Sequence, residues 1–408
     1  MSRFEDLGVS PFFSSRLGER NIHQPTDIQA RVIPELLEGH SLAFRSATGT
    51  GKTFAYLIPL FQRLFPEPRS GPPEGSPPGP AGGYAGPAVL ILAPTCELCS
   101  QIRAEAEFLL SVLPVPPAGL LIGSGNLKRQ IEVLKKDRPA VVVGNPGRIL
   151  LLVRMGKLKL GALRFLILDE GDRLAAEDLR AETLELLEFI AGGPSRRQPD
   201  LVRIACSATL SLKNLGALLP VMGGGLKIIE TDGQEILRER IRHWAMWSES
   251  RRKIGTLRSF LAAAKPGKAL VFTGRSWDAE HIVSRLEHLP AAALYGHMDK
   301  KRRRDVIGAF RSGTLRVLVS SDLAARGLDI PGITHVIALD VPPDADLYTH
   351  RAGRTGRAGK RGIMVSIGDE VEMRRLALLE KRLGLTVYPK ELCRGRIVAA
   401  GEGTDNDG

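Results

Sequence analysis

Four cysteines in 408 residues are too few for a disulfide framework. That scarcity excludes the small stapled scaffolds of secreted proteins and points to a reducing compartment. Long apolar runs are missing too: none approaches the roughly 20 residues that a membrane-spanning helix needs. The opening residues, MSRFEDLG, carry charge and no apolar h-region follows them, so no secretory leader is read there. A protein with no membrane association, cytoplasmic, is the expectation. No fixed-period repeat is found. Cys96 and Cys99 form a C-x-x-C pair, but a zinc site needs two further ligands at matching spacing, and Cys206 and Cys393 stand alone. The pair is read as incidental.

What is present is ordinary globular material. Hydrophobic residues make up 43% and charged residues 25%, so disorder can explain only local segments. A chain of this length exceeds one compact core and fits two α/β domains. The formal charge of +12 favours a polyanion, because neutralising phosphates releases condensed counterions. Nucleic acid is the natural candidate, though charge alone does not decide it.

Short aliphatic runs alternate with amphipathic stretches: Leu42 to Arg45, Ala88 to Ala93, Ala140 to Val143, Phe165 to Leu168 and Val202 to Cys206 read as buried strands. That alternation predicts a mainly parallel sheet covered by helices on both faces. The pattern restarts with strands at Ala269 to Thr273, Arg316 to Ser320, Thr334 to Ala338 and Gly362 to Ile367. The expected organisation is therefore a first domain over 1–230, a linker over 231–239 carrying the Asp232-Gly233 turn signal, and a second domain over 240–390. A short disordered tail is expected over 391–408. Residues 66–87, dense in Pro and Gly, read as a passive surface insertion.

Ser46 to Thr53 reads SATGTGKT, after a strand and before a helix that begins near Lys52. This is a P-loop in its expected setting: Gly49 and Gly51 let backbone N–H groups face phosphates, Lys52 supplies a point charge, and the Thr53 hydroxyl can ligate Mg²⁺. After the strand Phe165 to Leu168 come Asp169, Glu170, Gly171 and Asp172, at the carboxyl end where parallel sheets bind ligands. Asp169 suits the metal, and Glu170 suits a general base that orients and deprotonates the attacking water. By itself an acidic pair would be only a solvated helix start; beside a P-loop it is read as catalytic.

At this point the residues resemble the DEAD-box family of ATP-dependent RNA helicases, over roughly Phe4 to Ile367. Gln24-Pro25-Thr26-Asp27-Ile28-Gln29 resembles the adenine-recognising Q motif, and Phe4 is expected to stack on the base. The resemblance implies two tandem RecA-like domains, with ATP and Mg²⁺ as cofactors. It places ATP against Phe4, Gln24, Gln29, Ala47, Thr48, Gly49, Thr50, Gly51, Lys52 and Thr53, with Gly327 and Asp329 from motif V, and the metal at Thr53 and Asp169. Pro94 and Thr95 (motif Ia), Gly125 (the glycine turn), Pro146, Gly147 and Arg148 (motif Ib), Arg275 (motif IV), Arg303, and Arg326 (motif V) are implied to hold RNA. Asp172, Ser207 and Thr209, together with His350 and Arg351, are implied to couple the two domains. Arg354 and Arg357 of motif VI resemble the fingers that meet the γ-phosphate and compensate transition-state charge.

The activity implied is closure on single-stranded RNA with local unwinding or ribonucleoprotein remodelling, by a monomer; an ATP-gated RNA clamp with little unwinding is the alternative. A DNA translocase is disfavoured by the Q motif and by Ser207-Ala208-Thr209. Three departures stand out. Gly171 replaces the usual Ala, Cys96 the usual Arg, with one phosphate contact put in doubt, and Lys300 a usual Gln. The run Lys300 to Arg304 reads as a solvated helix face rather than an added basic patch.

Overall fold

A computed structural model describes residues 3–45, 51–65, 86–192, 201–207, 218, 221–223, 225–230, 234–274, 278–286, 288–296, 298–325, 330–356 and 360–401. The chain divides into two compact units, with the division between Thr231 and Asp232. Among the described residues no helix is long and apolar enough to cross a membrane.

The first unit holds seven strands: β1 (Leu42–Arg45), β2 (Val89–Leu92), β3 (Gly119–Leu121), β4 (Val141–Gly144), β5 (Phe165–Asp169), β6 (Val202–Ser207) and β7 (Lys227–Glu230). They lie in the order β3-β4-β2-β5-β6-β1-β7, every pair parallel. Successive side chains point to opposite faces. Phe44, Ile91, Val143, Ile167 and Ile204 accordingly enter one core, and Ala43, Leu90, Val142, Leu166 and Ala205 the other. Both faces therefore need helices, which is why these strands read as unbroken apolar runs.

The second unit repeats the winding. Its strands are β8 (Ile241–Trp247), β9 (Ala269–Phe272), β10 (Ala291–Leu294), β11 (Val317–Ser320), β12 (His335–Ala338), β13 (Gly362–Gly368), β14 (Val387–Cys393) and β15 (Arg396–Ala399). Their order is β10-β11-β9-β12-β13-β8-β14-β15. The six strands from β10 to β8 follow the same permutation as β3 to β1 in the first sheet, so the two lobes are tandem RecA-like domains. The likeness lies in topology and leaves no repeat in the sequence.

Two expectations need correction. Residues 391–408 were expected to form a disordered tail, yet 391–393 complete β14, which pairs antiparallel with β15 through Lys390↔Ala399 and Cys393↔Arg396. The two-residue connection Arg394-Gly395 has positive φ at both positions (47° and 74°), the backbone twist that a tight hairpin requires. Leu392 and Ile397 pack on the second core. Residues 402–408 lie outside the described residues. Within the expected linker, Gln234–Glu239 is a helix, and Leu237 is buried in the second lobe's core rather than in a free connection. Of the 66–87 insertion, 66–85 lie outside the described residues.

Candidate functional site

In the first lobe the expected site residues sort by strand. Those expected at the nucleotide follow β1, β6 and β5, which are neighbours in the sheet; those expected at RNA follow β3, β4 and β2, also neighbours. Apart from Phe4, Gln24 and Gln29, which precede β1, these positions follow carboxyl ends, where the parallel winding opens a crevice.

Gly51 adopts φ 86° and starts the helix Lys52–Leu64. Gln29 braces it. From the helix Asp27–Glu38, the Gln29 Nε2 amide donates to Gly51 O at 3.1 Å, while its Oε1 accepts from the Thr26 amide at 2.9 Å. That second bond is half of a capping box that closes the helix start. Gln29 is buried, and these two bonds hold it against the start of the P-loop helix. A Cβ at position 51 would stand 2.5 Å from Gln29 Nε2, which rules out any side chain there. Gln24 is exposed. Phe4 is 1% exposed and belongs to the core. In this structure the ring packs in the same apolar cluster as Val9 and Phe13. Ser46 and the P-loop residues Ala47, Thr48, Gly49 and Thr50 lie outside the described residues.

Asp169 ends β5 and is buried. Three donors converge on its carboxylate: Tyr56 Oη reaches Oδ2 at 2.9 Å, the Glu170 amide reaches Oδ1 at 2.9 Å, and Cys206 Sγ reaches Oδ1 at 3.2 Å. Burial, then the Asp169 charge, pushes both the Tyr56 hydroxyl and the Cys206 thiol well above their ordinary values, so both stay protonated and keep donating. The positive charge of Lys52 also acts on Cys206, which puts Lys52 within electrostatic reach of this cluster. Thr53 bonds Tyr56 one turn along the helix.

Glu170 stands next with φ 50° and ψ 52°, a left-handed conformation that side chains other than glycine seldom adopt. It caps the short helix Gly171–Leu174, which carries Asp172. Such strain persists only where surrounding structure fixes it, and it gathers at functional positions. Ser207 is fully buried at the end of β6, opposite Arg45. Thr209 lies outside the described residues. Tyr56 and Cys206 were not anticipated. The signal available was one hydroxyl inside the apolar run FAYLIPLF, since a buried phenol needs an acceptor.

The expected RNA residues form a second cluster. Thr95 caps the helix Cys96–Leu110, its Oγ1 accepting from the Leu98 amide at 3.2 Å. Asn145 ties two strand ends together: its Nδ2 donates to Ala93 O at 2.9 Å and its backbone amide donates to Leu121 O at 3.2 Å. Cys96 Sγ donates to Asn145 Oδ1 at 3.3 Å, so the thiol standing where the family has Arg supports the scaffold. Burial raises Cys99, which with its depth makes it an inert thiol. Arg148 organises the glycine turn, donating to Gly123 O at 2.9 Å, Gly125 O at 3.1 Å and Gln130 Oε1 at 2.8 Å. A Cβ at Gly125 would stand 2.2 Å from Nε2 of the buried Gln130 and displace it from its bonds to Ile122 O and Arg148. Pro146 starts its helix at the first turn, where the missing N–H costs nothing, and Pro94 precedes the Thr95 cap.

In the second lobe, Arg351 is 2% exposed and forks onto Asp322 with two bonds of 2.7 Å. It also donates to Asp340 O at 2.7 Å and Asp340 Oδ2 at 3.0 Å. Burial opposes its charge, yet Asp322 and Asp340 outweigh that cost and raise its pKa further. Within the second lobe Arg351 thus forms a clasp, because a buried guanidinium is held where carboxylates neutralise it. His350 lies on the same helix, Ala345–Ala352, and Arg354 is buried just beyond it. Arg303 Nη2 donates to Ala324 O at 3.0 Å. Arg275, Arg326, Gly327, Asp329 and Arg357 lie outside the described residues.

Two like-wound, mainly parallel sheets, the first with a phosphate-loop helix beside a buried carboxylate, define a tandem RecA-like protein of the helicase class. A family model described as DEAD/DEAH box helicase matches residues 26–218, and one described as helicase conserved C-terminal domain matches residues 252–359. The DEAD-box ATP-dependent RNA helicase CshC of Bacillus cereus is 33% identical over 392 residues, 96% of this chain and 94% of its own. The DEAD-box ATP-dependent RNA helicase 47, mitochondrial, of Arabidopsis thaliana is 32% identical over 98% of this chain and 79% of its own. Among solved structures, S. cerevisiae Dbp5 bound to RNA and ADP BeF3 shares the fold, with TM-score 0.78 at 24% identity over 95% of this chain and 96% of that one. The chain belongs to the DEAD-box family of ATP-dependent RNA helicases.

Proposed function

We propose that this chain couples ATP binding and hydrolysis to closure of its two lobes on single-stranded RNA, and so parts short duplexes or remodels ribonucleoproteins. The observation that carries the reading is Asp169, fixed by Tyr56, Cys206 and the Glu170 amide at the end of β5. Lys52 begins the helix that carries Tyr56.

Lys52 binds the β- and γ-phosphates as a point charge. Glu170 takes the proton of the attacking water, and its left-handed backbone sets the direction of its side chain. The donor set suits Mg²⁺, a hard cation that takes oxygen ligands and keeps several waters: the Thr53 hydroxyl and the Asp169 carboxylate would hold it, partly through water. When bound, the ion neutralises phosphate charge. Arg354 and Arg357 supply the remaining positive charge on closure. The cluster of Thr95, Gly125, Pro146, Gly147 and Arg148 holds the sugar-phosphate backbone without reading bases. Because both ligands favour the closed state, RNA stimulates hydrolysis and ATP tightens RNA binding. One polypeptide supplies every part, so the working unit is a monomer.

Lys52→Ala and Glu170→Gln each lower RNA-stimulated ATP turnover by about 10²-fold or more, since a general base alone contributes about 10²–10⁴. Circular dichroism of both variants stays that of the parent. Normal turnover in either would remove the site assignment. A short-duplex displacement assay then separates unwinding from a clamp: ATP-dependent binding without strand release would sustain the clamp.

A further inference from the structure

We propose that the second lobe carries an additional groove for single-stranded RNA, on the rim opposite its motif residues. This rests on the RNA-binding function proposed above and extends it to a second site. A cavity of about 640 Å³ opens where β8 and β13 begin and β14 runs alongside. Arg240, Arg242, Arg361 and Lys390 line it together with Trp244 and Tyr388.

The sheet register explains this convergence. Arg240 and Arg361 immediately precede two paired strands, and the Gly362 amide donates to Arg240 O at 2.9 Å, which sets the two arginines side by side. β8 and β14 pair in parallel with Trp244 opposite Tyr388. The two-residue period of a strand then puts Arg242, Trp244, Tyr388 and Lys390 on one face. Lys390 Nζ lies 5.8 Å from the Trp244 ring centroid, and Phe260 backs that ring edge-on at 6.4 Å. Tyr388 is 50% exposed. The wall is thus a firm aromatic platform framed by cations.

The charge on this wall is uncommitted. Among the described residues no ion pair engages Arg240, Arg242 or Arg361, and Glu239 is the only acid at the groove. Cations alternating with exposed rings match a chain that alternates phosphates with stackable bases. An acidic helix would instead demand an apolar floor.

The groove is also separate from the motif residues. Thr273, which leads to Arg275 of motif IV, and Ser321 and Asp322, which lead to Arg326 of motif V, follow the carboxyl ends of β9 and β11, whereas Arg240 and Arg361 stand before the amino ends of strands parallel to them. At about 3.3 Å per residue, the seven residues of β8 separate the two rims by roughly 20 Å, a distance that a few single-stranded nucleotides cover. The groove therefore takes a single-stranded extension of the RNA whose other part lies at the motifs.

The test measures anisotropy over a salt series, with a non-hydrolysable ATP analogue and two oligouridylates of about ten and about thirty nucleotides, the shorter filling one single-strand site. The expected result is tighter binding of the longer strand. Replacing Arg240, Arg242 and Arg361 together by Gln removes that gain and lowers the salt slope for the long strand by about two, at roughly 0.7 per phosphate contact. Tyr388→Ala weakens long-strand binding about fivefold or more through lost stacking and leaves the slope unchanged. All four residues are exposed, and tryptophan emission checks that each variant folds. Stimulation of ATPase by the short strand stays the same in both variants. If the triple variant keeps the gain and the slope, the groove proposal is overturned while short-strand stimulation leaves the proposed function standing. Loss of that stimulation in the unaltered protein takes both down. Polyglutamate binding that the triple substitution removes, with RNA binding intact, would give the groove to an acidic protein and also overturn the proposal.

Discussion

Tyr56 donates its hydroxyl to Asp169 Oδ2 at 2.9 Å, from a helix that also carries Thr53 one turn earlier. The P-loop helix and the end of β5 are thereby locked to each other through a residue with no chemical role of its own. A hydrogen bond to a charged group contributes about 1.5–3 kcal/mol. Tyr56→Phe should destabilise the first lobe by about that amount, read by circular dichroism in a denaturant series. It should also raise the Mg²⁺ concentration needed for half-maximal ATP hydrolysis. An unchanged Mg²⁺ midpoint would reduce Tyr56 to a space-filling residue.

Arg148 is expected to act on RNA through the turn it braces. A lysine there reaches one acceptor but not the fork of Gly123 O, Gly125 O and Gln130 Oε1. Two lost hydrogen bonds are worth about 1–3 kcal/mol, so Arg148→Lys should raise the RNA concentration for half-maximal stimulation about 5- to 150-fold. Equal RNA titration curves for parent and variant would count against this placement.

Arg351→Met tests the clasp in the second lobe. Removing one partner of a fully buried pair costs about 3–5 kcal/mol. Asp322 and Asp340 retain 22% and 33% exposure, so water relieves part of the loss and about 2–3 kcal/mol is expected. All three tryptophans, Trp244, Trp247 and Trp277, lie in the second lobe, so their emission reports this transition alone. A midpoint that does not move would mean that the guanidinium contributes nothing net.

His243 gives the second lobe a pH dependence. Its Nδ1 lies 2.8 Å from Tyr348 Oη and its Nε2 2.9 Å from Leu237 O, so the neutral ring donates through Nε2 and accepts through Nδ1. Burial lowers its pKa from the ordinary 6.5. The unfolded chain therefore binds the proton more readily, and folding stability is full above 6.5 and falls as the pH drops below it. His335, lowered by burial as well, adds in the same direction. The tryptophan-detected denaturation midpoint should fall between pH 7.5 and pH 5.5, and His243→Gln should flatten that fall. A midpoint independent of pH over this range would exclude the effect.

The chemistry-bearing segments were legible because each is contiguous. SATGTGKT, the run from Asp169 to Asp172 and the motif VI segment from His350 need only neighbouring residues to announce a phosphate loop, a carboxylate pair or an arginine cluster. The buried strands announced themselves likewise, since a strand covered on both faces is apolar at every position. Strands lacking that pattern were not anticipated. β10 is Ala291–Leu294, three alanines with little strand preference, and β7 and β14 are edge-ward strands with exposed positions.

Length and local patterning by themselves determined two α/β lobes and marked the candidate phosphate-binding residues. Only the tertiary structure decided that Tyr56 and Cys206 serve Asp169, that Arg351 closes on Asp322, that Phe4 is core, and that Arg240, Arg361 and Tyr388 share one wall. In a parallel sheet, neighbouring strands come from distant parts of the chain, and their register is fixed by the packing of whole faces, so such juxtapositions have no local signature.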